Sequence, residues 1–234
     1  MAVEKISVDR FAELLGSFPV IDVRSEDEFL HAHVPGAHNL PLFNNEERKV
    51  VGTIYKQQSR GLAIKKGLEF FGPKMKSMIV FAEKINASLD NENKTFVVHC
   101  WRGGMRSAGV AWLLDLYGYK VYTVVGGYKA YRNWVLKQFE KNRTINIVGG
   151  YTGSGKTILL EELKKAGEAV IDLEGIAGHR GSAFGRIGLP EQTSVEMFEN
   201  KLASALSTIE KEHPGKSIWM EDESQRIGSV SIPH

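Results

Sequence analysis

Twice in this chain a short apolar run breaks into a glycine-bearing loop and a helical pattern resumes at once, at residues 95–107 and again at 145–157. A strand that feeds a helix this directly reaches its sheet neighbour by a crossover, so each signature commits its surroundings to a parallel α/β architecture. The remaining periodicity agrees. Val8, Phe11, Leu14 and Leu15 mark one helix face, and Pro19 precedes an apolar run at 20–23 that reads as a buried strand. Residues 26–31 read as a helix started by Ser25, and 33–41, with Pro35, Gly36 and Pro41, as a turn-rich connection.

A strand at 95–99, a helix over 107–116, a strand at 121–125 stopped by Gly126-Gly127 and a helix at 128–139 complete a first unit. The charged stretch 140–143 is the linker, which places one domain at 1–140 and a second at 141–234. The second begins with a strand at 145–148 and a helix at 157–165. Strands at 169–173 and 217–220 follow, with a helix at 194–211 between them. Three strands and two helices make a small, open sheet, so this domain is expected to be partial at its C-terminal side.

Composition narrows the chemistry. With 42% hydrophobic and 25% charged residues the chain is ordinary globular material. The opening MAVEKISVDRF mixes charges into its apolar residues and no apolar run reaches membrane-spanning length, so a cytoplasmic protein without a membrane partner is expected. A net charge of +2 does not by itself announce a nucleic-acid binder. The seven histidines are not paired at metal-ligand spacing, so no metal site is assigned from them. The single cysteine has no disulfide or Cys-x-x-Cys partner, and any sulfur chemistry rests on Cys100 alone.

That cysteine has an informative setting. In His99-Cys100-Trp101-Arg102-Gly103-Gly104-Met105-Arg106-Ser107 it sits at a strand's carboxyl end, with two glycines in the loop and a helix after it. Successive N–H groups and the helix N-terminus make such a loop an anion cup, which lowers a thiol's pKa and makes the sulfur nucleophilic. Arg102 and Arg106 are placed to meet an anionic substrate or leaving group. Two chemistries fit this loop: cleavage of a phosphate ester, and sulfur transfer through a persulfide.

Ile21-Asp22-Val23-Arg24 followed by Glu26, the stretch from His33 to Pro41, and the cysteine loop together resemble a rhodanese domain over about residues 1–140. The resemblance implies that Asp22 helps hold the active loop and that Cys100 accepts the transferred atom. It favours sulfur-type transfer, although phosphatases on the same fold use a loop of this length.

Further on, Gly150-Tyr151-Thr152-Gly153-Ser154-Gly155-Lys156-Thr157 satisfies G-x-x-x-x-G-K-[ST] between a strand and a helix, the pattern of a P-loop. Gly150, Gly153, Ser154 and Gly155 admit a phosphate chain, Lys156 supplies charge, and the Thr157 hydroxyl suits Mg²⁺. Trp219-Met220-Glu221-Asp222-Glu223 resembles a Walker-B strand end, with Asp222 or Glu223 as a metal-side carboxylate. The fold class is therefore a rhodanese-like parallel-sheet domain followed by a partial P-loop NTPase-like α/β domain.

The combination is specific. The cysteine loop, Gly126 through Arg132, the phosphate loop, Asp172-Leu173-Glu174-Gly175, His179 through Gly185, and Glu221 through Ser224 resemble the tRNA 2-selenouridine synthase family along nearly the whole chain. That family continues past the position of His234, so a shortened member is expected. The resemblance implies a transferase that converts wobble 2-thiouridine of tRNA to 2-selenouridine through an S-geranyl intermediate. Its co-substrates are selenophosphate and geranyl diphosphate, with no tightly bound cofactor, and a Mg²⁺ ion and a selenophosphate-supplying partner enzyme are compatible with it. Cys100 is then the selenium carrier, and Gly155, Lys156 and Thr157 bind geranyl diphosphate. Trp101 offers a base-stacking face for tRNA, and Arg102, Lys129, Arg132, Lys137, Lys141 and Arg143 offer phosphate contacts. The alternatives are a rhodanese-type sulfurtransferase, a Cys-dependent phosphatase with a nucleotide-binding regulatory domain, and a non-catalytic P-loop module with a rhodanese adaptor.

Overall fold

In the computed structural model, which describes residues 3–89, 94–151, 153–179 and 191–233, the chain divides into two units, Met1–Arg132 and Asn133–His234. The division falls inside one helix, Gly127–Phe139.

The first unit runs β1 (Glu4–Ile6), α1 (Val8–Leu14), β2 (Val20–Asp22), α2 (Glu26–His31), β3 (His38–Asn39), α3 (Asn45–Gln57), α4 (Arg60–Phe71), α5 (Met75–Ser88), β4 (Thr95–His99), α6 (Met105–Tyr117), β5 (Lys120–Val124) and the start of α7 (Gly127–Phe139). Its five strands are all parallel, in the order β1-β5-β4-β2-β3. All five residues of β4, the central strand, are buried. Side chains alternate across a strand. Phe96, Val98 and Cys100 accordingly join Met78, Ile85, Val110 and Leu114 of α5 and α6 in one core. His99 faces the other way, toward Phe11 of α1 and Tyr128 of α7, with ring centroids 6.2 and 6.3 Å away. The sheet is covered on both faces.

Sequence periodicity places α1, β2, α2, β4, α6, β5 and α7 within a residue or two. It leaves out β1, β3 and the three helices α3–α5. The stretch 33–41, expected as a connection only, contains β3, whose His38 and Asn39 pair with Ile21 and Asp22 at the sheet edge.

The second unit contains β6 (Ile145–Val148), α8 (Lys156–Lys165), β7 (Ala169–Val170), α9 (Leu173–Ala177), α10 (Val195–Glu212), β8 (Ile218–Glu221) and the pair β9 (Arg226–Ile227) and β10 (Val230–Ser231). A parallel sheet of order β6-β8-β7 is accompanied by the antiparallel β9-β10 pair. Phe198, Leu202 and Leu206 recur every four residues along α10 and pack with Ile171, Ile218 and Met220. Two expectations are corrected here. The strand at 169–173 ends at Val170, because the Asp172 carboxylate accepts from Gly175 N–H at 2.7 Å and caps a helix that begins at Leu173. The unit also holds an extra short helix and a strand pair that periodicity did not reveal.

Candidate functional site

β4 delivers Cys100 to the carboxyl edge of the first sheet, and five residues later α6 begins. Gly104 N–H donates to Cys100 Sγ at 3.3 Å. Ser107 Oγ stands 3.4 Å from the sulfur and 3.0 Å from the Gly104 carbonyl oxygen, so its one proton can turn to the sulfur when that is ionised. Burial, with only 3% of Cys100 exposed, pushes the thiol pKa up. The Ser107 hydroxyl and N–H, the Arg106 charge and the Gly104 N–H outweigh it, and the net position is below the ordinary 9.0.

The loop keeps its shape by resting on the Gly126-Gly127 turn. Gly103 and Gly127 have φ of 64° and 57°. A Cβ on Gly103 would lie 2.3 Å from the Val124 carbonyl oxygen, and one on Gly127 would lie 2.3 Å from that of Cys100. Tyr128 N–H donates to Cys100 O at 2.8 Å and Lys129 N–H to Trp101 O at 2.9 Å. Two loop carbonyls are thus taken up by the first turn of α7, which leaves N–H groups to face the sulfur.

Asp22 does not reach the cup. It is wholly buried, and its carboxylate accepts from Arg24 Nε at 2.9 Å and Nη2 at 2.6 Å. Burial raises its pKa, but His99 and Arg24 hold it below the ordinary 3.8. Arg24 also donates to Ala32 O at 2.7 Å and lies 3.7 Å over the Tyr128 ring. Tyr128 in turn sits 5.7 Å from the Trp101 ring. Asp22 is thus linked to the loop through Arg24, Tyr128 and Trp101, contacts that suit the loop-holding role expected of it. Loss of one partner of such a buried pair strands the other charge and costs about 3–5 kcal/mol. Burial also keeps the His99 pKa below its ordinary value, against Asp22 at 3.8 Å.

Arg106 and Arg102 differ. Arg106 Nη1 donates to Glu28 Oε2 at 2.9 Å, and Arg48 Nε reaches the same oxygen at 2.8 Å. Burial raises the Glu28 pKa, but these two cations bring it below its ordinary value. Arg102 is exposed, with no carboxylate partner among the described residues. Sequence reasoning missed Ser107, Glu28 and Arg24 as parts of this site. Only Ser107 carries a local signal, a hydroxyl in the first turn of the helix that follows the cysteine.

Of the nucleic-acid contacts expected from sequence, Trp101 is 37% exposed and Lys129 is exposed, while Arg132 is half-buried and already engaged. Arg143 is corrected: its side chain is buried, Nε pairs with Glu210 Oε1 at 2.7 Å, and Nη1 donates to the Gln138 carbonyl. Lys141 shares Glu210 at 3.7 Å.

In the second unit the phosphate loop joins β6 to α8. Gly150, Gly153 and Gly155 have φ of 151°, 82° and 87°. A Cβ on Gly150 would lie 2.6 Å from Ser154 Oγ. Lys156 Nζ folds back onto the Gly150 carbonyl oxygen at 2.7 Å, and Thr157 in the first turn of α8 is exposed. Thr152 and, of the 179–185 segment, all but His179 lie outside the described residues. Asp222 belongs beside the loop: its N–H donates to Val148 O at 2.9 Å, and its Oδ2 is 3.6 Å from the Cβ position of Gly149. Glu223 instead joins Glu174, whose pKa is pushed up to about 7 by burial, by a hydrogen bond with Glu223 and by Glu221 and Asp172. Glu221, expected only as part of an acidic strand end, accepts from Glu174 N–H at 2.8 Å. Among the described residues no three His, Cys, Asp or Glu side chains converge as metal ligands.

A parallel sheet in the order found here, with a cysteine cup at its carboxyl edge, defines a rhodanese-like unit, and residues 7–134 match the rhodanese-like domain family, to which this chain belongs. Residues 143–234 match the family described as tRNA 2-selenouridine synthase AAA domain. The chain is similar to the tRNA 2-selenouridine synthase of Bdellovibrio bacteriovorus, with 41% identity over all of this chain and 61% of that protein. It is similar to the tRNA 2-selenouridine synthase of Nitrosomonas eutropha at 38% identity, over 92% of this chain and 55% of that one. It thus spans little more than half the length of these curated relatives. Among solved structures, the N-terminal domain of a putative ATP/GTP binding protein from Clostridium difficile 630 is 42% identical. The two superpose with a TM-score of 0.50, over 58% of this chain and 99% of that one.

Proposed function

We propose that this chain carries the two chemical centres of a tRNA 2-selenouridine synthase, with selenium transfer at the Cys100 cup and diphosphate binding at Gly150–Thr157. The observation that supports this best is their union in one chain whose full length aligns, at 41% identity, with a protein of that name. In the first step the thiocarbonyl sulfur of a 2-thiouridine attacks C1 of geranyl diphosphate. A C–S bond forms, the C1–O bond breaks and diphosphate leaves. The P-loop glycines, Lys156 and Thr157 hold that diphosphate, and Mg²⁺, if it accompanies the ligand, takes oxygens mainly from phosphate and water, as this ion usually does. In the second step the selenium of selenophosphate attacks C2 of the base, the C2–S bond breaks and geranyl thiol leaves with a proton; water then attacks phosphorus, the Se–P bond breaks, phosphate is released and selenium stays on C2. The lowered Cys100 pKa, the inward N–H groups and Arg102 suit a site that handles an anionic selenium donor.

The division of labour has a direct test. Incubating 2-thiouridine tRNA with the protein, geranyl diphosphate and selenophosphate, then analysing nucleosides by mass, is expected to yield 2-selenouridine. Cys100→Ala stops selenation and leaves S-geranyl nucleoside, whereas Lys156→Ala stops geranylation. Loss of both products in a folded Cys100→Ala protein overturns the division.

A further inference from the structure

The helices α3, α4 and α5 carry the chain from β3 to β4, and their charge is not that of the whole. Residues 45–88 hold nine lysines and arginines against four glutamates, a net +5 in a chain whose total is +2. Their carboxylates are largely in use, Glu47 by Lys74 and Glu69 by Lys66. Lys49, Lys56, Arg60 and Lys65 are exposed and have no carboxylate partner among the described residues. Helix α3 has thirteen residues and none is buried. Val51 and Ile54 are its half-buried side, and Lys49, Thr53 and Lys56 stand exposed on the other, with Tyr55 54% exposed. A helix of this length with so little packing is marginal in water.

Both helices are tied to the cup. Arg48 of α3 shares Glu28 with Arg106, and Arg60 Nη2 of α4 lies 3.8 Å from Met105 Sδ, the residue after Gly104. We propose that the α3–α4 pair is an RNA-docking surface, whose free lysines and Arg60 take the phosphodiester backbone of the tRNA and whose Tyr55 offers a stacking face. The surface deepens the tRNA reading above and rests on it. Charge complementarity selects the occupant: a row of unpaired cations next to an anion-binding cup fits a polyanion whose reacting base must enter that cup.

The test uses the full chain and a fluorescently labelled 2-thiouridine tRNA, with affinity measured across a salt series. The triple substitution Lys49→Gln, Lys56→Gln, Lys65→Gln is expected to weaken binding at least about tenfold and to reduce the slope of log affinity against log salt by about 1 per lysine removed. The triple Lys→Arg protein retains both. Melting temperature and the alkylation rate of Cys100 stay at wild-type values in both variants, which separates docking from folding and from the cup. If the wild-type chain binds tRNA and the Gln variant binds equally with the same slope, the surface is overturned while the tRNA reading stands. If the wild-type chain binds no tRNA, the tRNA reading fails and this one falls with it.

Discussion

Cys100 is a core residue by burial whose neighbours hold its pKa below the ordinary value, and the Ser107 hydroxyl contributes most to that lowering. Without the Ser107 hydroxyl, burial faces only N–H groups and the Arg106 charge. Iodoacetamide alkylation followed against pH is expected to give a midpoint below the ordinary thiol value of 9.0 for the wild-type protein. In Ser107→Ala the midpoint moves upward, and an unmoved midpoint would show that the hydroxyl does not stabilise the thiolate. Cys100, Gly103 and Lys156 were legible from sequence because each belongs to a contiguous pattern in which neighbours in the chain are neighbours in space. Glu28 and Arg24 were not, since what they do depends on Arg106 and Tyr128, 78 and about a hundred positions away along the chain, and no local period records such a meeting.

The strand-loop-helix element around the cysteine is only as rigid as the turn beneath it. Gly127→Ala places a methyl group 2.3 Å from the Cys100 carbonyl oxygen at a φ of 57°. The expected result is a loss of about 2 kcal/mol or more in denaturant unfolding, with the alkylation midpoint of Cys100 shifted upward. A variant with wild-type stability and midpoint would mean that the loop does not lean on that turn. The strands and helices flanking the two loops were readable from their apolar periods. Helices α3–α5 were not singled out even though Asn44 and Glu47 form a capping box at the head of α3. α4 buries Ala63, Gly67 and Phe71 and α5 buries Met78, Ala82 and Ile85, stripes in which small residues replace the large apolar side chains that mark a helix face in sequence. β1 and β3 are two or three residues long and exist only through their partners β5 and β2.

At the scale of the whole molecule, the second unit is slightly acidic, with 14 aspartates and glutamates against 12 lysines and arginines, and one of its carboxyls shapes its response to pH. Glu174 has a folded pKa of about 7 against an ordinary 4.5, so the folded state favours the protonated carboxyl. Its contribution to stability is fully present below 4.5 and is lost as pH rises through about 7. Chemical unfolding of the second unit is expected to become easier from pH 5 to 8, and Glu174→Gln flattens that dependence; an equal slope in the variant would clear Glu174 of it. The basic helices 45–88 have the opposite sign, and subtracting their +5 from the total of +2 leaves −3 for everything else. A near-neutral sum therefore hides a strong separation of charge. On a cation-exchange resin at neutral pH the protein will adsorb by one side and elute later than its pI of about 8.5 suggests. A titration counts the protons of this molecule, whereas a charged surface meets the face that it turns outward.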